Sequence, residues 1–278
     1  MLDLHNPFAD YGNLIYGDRF IGRQDYLQEI ESRVIRSPGG NFAIIGQRRV
    51  GKSSLTYQAV KVRRDELLQR EILPIRISAG SYNTSQQFFC SLVSDCFREL
   101  SDLDWASRRI REAAEEVKAR DTGRFDFSEV KIFFKETHAA GKRIIILLDE
   151  FDKAARFFAG DGSFFDRLRD LSYRGQTTLL TVSRDPIAVI EQKSNVTSTL
   201  VGTIRERYLG MFGESEMGEH FDRLMRVGVA LTDEHRREIT ARCGGHPFLH
   251  DTVAFELVEL LRHKEKTLLG EAFQRSES

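Results

Sequence analysis

Gly46-Gln47-Arg48-Arg49-Val50-Gly51-Lys52-Ser53, followed by Ser54, spells G-x-x-x-x-G-K-[ST]. Glycines at that spacing let backbone N–H groups turn inward around the α- and β-phosphates of a nucleotide. Lys52 has the length and charge to reach β- and γ-phosphates, and the Ser53 hydroxyl is a hard oxygen donor suited to Mg²⁺. The apolar run Phe42-Ala43-Ile44-Ile45 precedes the loop, and helix-compatible sequence over 53–70 follows it. Phosphate binding needs that strand-loop-helix context, because the helix N-terminus adds its own N–H groups. An incidental glycine turn before Lys-Ser is the alternative, and the context weighs against it. The expected ligand is a nucleoside triphosphate.

A second constellation is Arg143-Ile144-Ile145-Ile146-Leu147-Leu148-Asp149-Glu150, an apolar strand ending in two acids, the Walker B pattern. At the carboxyl end of a sheet strand such acids lie where open α/β sheets bind ligands. Asp149 can hold Mg²⁺, directly or through a water, opposite Ser53, and Glu150 can polarise a water for in-line attack on the γ-phosphorus. An acid pair there points to hydrolysis of the triphosphate. The strand over 178–182 ends at Ser183-Arg184-Asp185-Pro186. As a neighbour in the sheet it would bring Arg184 to the γ-phosphate, which a guanidinium reads by a bidentate contact. Cys243, His246 and His250 form C-x-x-H-x-x-x-H, but no fourth ligand is evident, so a zinc site is not expected.

Strands are expected over 41–45, 72–77, 143–148 and 178–182, all short and β-branched. Helices are expected over 84–100, 105–118 and 129–140, from apolar residues recurring every three or four positions. Strands alternating with helices imply a parallel sheet covered on both faces. After about residue 215 only helical stripes remain: one helix capped by Thr232, another over 248–262. The fold class is thus α/β with a small all-helical unit closing the chain.

The 278 residues suffice for one large α/β domain with a small appendage, and 41% apolar content supports an ordinary core. No apolar run spans a membrane, no signal peptide is read, and three cysteines (Cys90, Cys96, Cys243) fit no paired framework. A cytoplasmic, reducing location is expected. The net charge of −1 draws nothing toward nucleic acid globally. The basic clusters Lys61-Val62-Arg63-Arg64, Arg108-Arg109-Ile110-Arg111 and Arg205-Glu206-Arg207 are interleaved with acids and read as solvated helix faces.

Together these elements resemble the AAA+/STAND branch of P-loop ATPases, in particular the archaeal-type and AAA-like STAND ATPases. Four segments carry the likeness: Phe20-Ile21-Gly22-Arg23 with Tyr11-Gly12 upstream; the double-arginine phosphate loop; Leu147-Leu148-Asp149-Glu150-Phe151-Asp152 with Thr181-Val182-Ser183-Arg184; and Cys243-Gly244-Gly245-His246-Pro247, similar to a Gly-Gly-x-Pro lid motif. The resemblance implies an ASCE/AAA+ type P-loop NTPase fold. Residues 1–214 would form the nucleotide-binding domain, with 1–40 as leading segment and adenine-side helix, and 215–278 the lid. It implies that Phe20, Ile21, Gly22 and Arg23 pack near the adenine, that His246 and Pro247 approach the base, and that Arg184 is the sensor arginine. Its cofactors would be ATP and Mg²⁺, and its activity a slow or partner-stimulated ATPase.

The same likeness implies a molecular switch in signalling or defence, acting as a homo-oligomer or on a separately encoded effector or sensor. Members usually continue into a winged-helix domain; the sequence here stops soon after the lid, as either a minimal form or a shortened one would. Arg167 and Arg169 are candidates for a contact in trans. The alternative reading is a DNA-handling AAA+ ATPase of the initiator, loader or transposition-regulator kind, against which the balanced charge weighs.

Overall fold

Phe42-Ala43-Ile44-Ile45 is apolar at every position because both of its faces are covered, and all four residues are buried. In the computed structural model, which describes residues 6–119, 125–159, 161, 163–195, 200–262 and 269–277, this run is β1 (Phe42–Ile45). It joins β2 (Ile72–Ser78), β3 (Arg143–Asp149), β4 (Thr177–Ser183) and β5 (Arg205–Tyr208) in one sheet of order β2-β3-β4-β1-β5. Every pairing is parallel. Helices α1 (Gln24–Ile30) and α2 (Lys52–Thr56) flank β1 in sequence. Each runs on into a π-helical turn, Glu31–Ile35 and Tyr57–Lys61, and α3 (Arg64–Gln69) follows the second.

Between β2 and β3 lie α4 (Ser85–Asp102), α5 (Arg108–Ala119) and α6 (Phe127–Ala139). Thr84 caps α4 by accepting from Gln87 N–H at 3.2 Å, and Asp126 caps α6 by accepting from Ser128 N–H at 2.9 Å. The short α7 (Ala154–Phe157), α8 (Ser163–Ser172) and α9 (Ile187–Lys193) surround β4 in sequence. After β5 come only helices among the described residues: α10 (Glu214–Arg226), α11 (Asp233–Cys243), α12 (Pro247–Arg262) and α13 (Leu269–Glu277). Thr232 caps α11, accepting from His235 N–H.

The chain divides into two compact units. One comprises Asp25–Gly46 and Thr56–Tyr208, and holds the sheet. Its core joins sheet residues such as Ile146 and Leu148 to the phenylalanines Phe88, Phe89, Phe133, Phe134, Phe158, Phe164 and Phe165. Phe88 meets Phe89 and Phe164 edge-on, at 5.1 and 5.2 Å between ring centres. The other unit gathers the residues up to Gln24, Gln47–Leu55 and everything from Leu209 onward. Its own core places Phe8 among Phe221, Leu224, Ile239, Val253, Leu257 and Phe273.

Two sequence expectations change. Arg205-Glu206-Arg207, read as a solvated helix face, is the edge strand β5, whose Arg205 N–H bonds Asn41 O at 3.0 Å. The continuous helix expected over 53–70 is broken into α2, a π-helical turn and α3.

Candidate functional site

The carboxyl edge of the sheet collects the acids. β4 lies between β1 and β3, so their ends are separated by two strand spacings, about 10 Å. Asp149 closes β3 and is 6% exposed. Its Oδ1 accepts the Glu150 N–H at 2.9 Å and its Oδ2 accepts Arg76 Nη2 at 2.5 Å. Glu150 follows in the left-handed region, φ 52° and ψ 38°, where a side-chain-bearing residue carries strain of about 1–3 kcal/mol. Its carboxylate accepts Ser78 Oγ–H at 2.9 Å and pairs with Lys153 Nζ at 2.7 Å. Register explains Ser78: it is directly opposite Asp149 across the β2–β3 ladder.

β4 ends in Ser183, whose carbonyl accepts the N–H of Gly46 at 3.2 Å. The first residue of the glycine motif is thereby fastened to the strand beside β3. Arg184 donates from its backbone N–H to Asp152 Oδ1 at 3.0 Å, and from Nε and Nη2 to Asp152 Oδ2 at 3.2 and 3.1 Å. The sensor candidate is therefore a bidentate partner of Asp152, and about half exposed. Arg167 donates to Ser85 Oγ at 2.8 Å and lies over the rings of Phe125 and Phe127, while Arg169 is exposed on the same helix.

In the other unit the rest of the loop meets the helical segment. Arg49 and Gly51 take positive φ, 60° and 97°, which curls the loop before α2 begins at Lys52. Lys52 Nζ donates to Gln47 O at 2.6 Å, Leu55 N–H to Gly51 O at 2.8 Å, and Val50 is buried. Ser53 occupies the first turn of α2, and Ser54 Oγ accepts the N–H of Ile15 at 3.0 Å. His246 Nε2 donates to Arg48 O at 3.2 Å, and the Arg49 guanidinium lies 4.0 Å from the centre of the Phe248 ring. Gly245 lets the backbones close: a Cβ there would stand 2.2 Å from Phe212 O, and Phe212 N–H bonds Gly245 O at 2.7 Å. Pro247 opens α12 in the first-turn position that suits it.

The Phe20–Arg23 motif is tied to the same helices. Arg23, buried at φ 60°, donates to Met211 O and Gly210 O at 3.1 and 2.8 Å, and its backbone N–H bonds Glu216 Oε1 at 3.0 Å. Arg223 donates to Phe20 O at 3.1 Å. Ile21 lines a cavity of about 230 Å³ with Phe8, Ile15, Arg19, Val227 and Asp251. Cys243 and His250 belong to the helical unit's interior: burial pushes the thiol up to about 11 and the imidazole down to about 4. His250 Nε2 bonds Gly244 O at 2.8 Å, and no cluster of metal-binding side chains occurs among the described residues. Sequence reasoning missed Arg76, Ser78, Asp152 and Lys153. Arg76 alone left a trace, as the single charge within the apolar strand 72–77.

Several members of the basic clusters pair with acids. Arg63 pairs with Glu31 and Glu66 at 2.8 and 2.6 Å, Arg64 with Glu99 at 2.5 Å, and Arg108 with Glu112 at 3.0 Å. Arg207 lies 3.6 Å from Glu29 and over the ring of Tyr26.

Solved structures share the architecture. The Walker-type ATPase PABY2304 of Pyrococcus abyssi superposes with a TM-score of 0.68 at 15% identity, over 93% of this chain and 72% of that one. ORC1 of Aeropyrum pernix, determined in complex with DNA, gives 0.56 at 14% identity over 96% and 67%. Cdc6p of Pyrobaculum aerophilum gives 0.56 at 14% over 97% and 69%. No protein-family model matches the chain, and no curated protein matches it. No helix among the described residues is long and apolar enough to cross a membrane. The chain therefore has an α/β fold, a parallel sheet covered by helices, similar to that of these solved structures.

Proposed function

We propose that the protein is an ATP-hydrolysing molecular switch of the AAA+/STAND type, whose nucleotide state controls self-association or engagement of a partner. The observation that carries the reading is the shared edge: Gly46 of the glycine motif and the pair Asp149-Glu150 leave the same carboxyl edge of one parallel sheet. The loop from Gly46 to Ser54 supplies the N–H groups beyond Gly46 and the Lys52 charge for the phosphates. The Ser53 hydroxyl and the Asp149 carboxylate are hard oxygen donors and fit Mg²⁺, which when bound neutralises phosphate charge. Glu150 takes a proton from the attacking water, after exchanging Ser78 for it as hydrogen-bond partner. Arg184, held by Asp152 and about half exposed, would supply a guanidinium to the γ-phosphate. The cavity lined by Ile15 and Ile21 takes the base, a placement supported by the bond from Ile15 N–H to Ser54.

Likeness to an ORC1 structure determined with DNA favours a second reading, a DNA-handling ATPase. The pairing of the basic clusters with acids weighs against it. Steady-state ATP turnover by the purified chain, with and without duplex DNA at moderate salt, separates the two. Slow Mg²⁺-dependent turnover indifferent to DNA is expected. Marked stimulation by DNA would install the second reading, and absence of nucleotide binding would reject both.

A further inference from the structure

Arg76 is the one charged residue of β2 and the one exposed position among its first six. Its guanidinium nonetheless turns onto Asp149, with Nη2 at 2.5 Å from Oδ2. We propose that Arg76 is an internal counter-ion for Asp149, exchanged for the divalent cation when Mg²⁺–nucleotide binds; this rests on the nucleotide reading above.

The physical need is plain. A carboxylate as enclosed as Asp149 is costly unless an opposite charge or strong donors satisfy it. The Glu150 N–H serves Oδ1, and Arg76 serves Oδ2. A metal ion bound through Oδ2 would use the lone-pair region that the guanidinium occupies, and would bring two cations together. Arg76 and the ion thus exclude each other at that oxygen. Arg76 has somewhere to go: 40% of its side chain is exposed, so it can turn to solvent without crossing the core. Placement on β2 also links the two acids. Ser78 lies two residues further along the same strand, on the same face, and holds Glu150. One edge strand therefore holds both carboxylates, and a cation that displaces Arg76 acts beside the group that restrains Glu150.

The test uses Mn²⁺ in place of Mg²⁺, read by electron paramagnetic resonance with saturating ADP. The Arg76→Gln variant should need about three- to tenfold less Mn²⁺ for half-saturation than wild type, with ADP affinity in EDTA unchanged. An equal or higher requirement in a variant that melts like wild type would overturn the proposal. A measurement on the wild-type chain covers failure of that variant to fold. The Nε–Hε resonance of Arg76, assigned with Arg76→Lys, should shift on adding Mg²⁺–ADP and hold still with ADP in EDTA. A resonance that ignores the metal would equally overturn it. If wild type binds ADP under neither condition, the nucleotide reading falls and the counter-ion with it; if ADP binds and only the metal responses fail, the nucleotide reading stands alone.

Discussion

Lys52 and Glu150 divide the proposed chemistry between holding the phosphates and activating water, and their substitutions should separate accordingly. Lys52→Ala removes the one ammonium of the loop, and nucleotide affinity measured by calorimetry should fall about 10- to 100-fold. Glu150→Gln keeps size and an acceptor for Ser78 but cannot take a proton. Binding should persist while turnover drops about 10²- to 10⁴-fold, and undiminished turnover would refute the assignment of the base. Spacing in the sequence was enough to single out Lys52, Ser53 and Asp149, because the glycine loop and the acid-ended strand are both local patterns. The partners of Arg76 and Ser78 were illegible for a physical reason: they come from the β2–β3 register, which pairs residues some seventy positions apart. Arg184 could be named from the end of its strand, but its partner Asp152 could not, since an acid two residues past Glu150 reads as solvent-facing.

At the level of elements, the join between the Phe20–Arg23 motif and α10 rests on Glu216. Its carboxylate accepts the N–H groups of Arg23 and Gly213 at 3.0 and 2.9 Å and pairs with the Arg23 guanidinium at 3.4 Å. Gly22 makes room for it: φ is 58°, and a Cβ would stand 2.5 Å from Glu216 Cγ. Gly22→Ala should therefore cost about 2 kcal/mol and lower the thermal midpoint by several degrees in a calorimetric scan, because positive φ and overpacking add. Glu216 is pinned three times, so it cannot simply swing aside. The strands β1 to β4 were readable from largely apolar, β-branched runs, since most of their positions are buried. β5 was not. As an edge strand with one pairing partner it keeps charged side chains in solvent, and Arg-Glu-Arg there looks like any polar surface segment.

For the whole molecule, pH is the simplest probe of the helical unit. His250 is buried with its pKa lowered from 6.5 to about 4, chiefly by desolvation, against the Gly244 carbonyl and facing His220, Asp251 and His246. The folded state therefore holds the neutral imidazole. Its stabilisation is complete above about pH 6.5 and is lost as pH falls toward 4, where the unfolded chain binds a proton that the folded chain refuses. The loss should reach about 3 kcal/mol in urea titrations, and His250→Gln should flatten that part of the profile. The helical unit is also assembled from three stretches of chain, with Phe8 in its core and Asn6 bonded to Phe255 O and Glu259 at 3.1 and 2.7 Å. Heredity feels this arrangement. A gene fragment encoding only the last seventy or so residues would leave out Phe8, which the helical core packs around, and Asn6, which bonds Phe255 and Glu259.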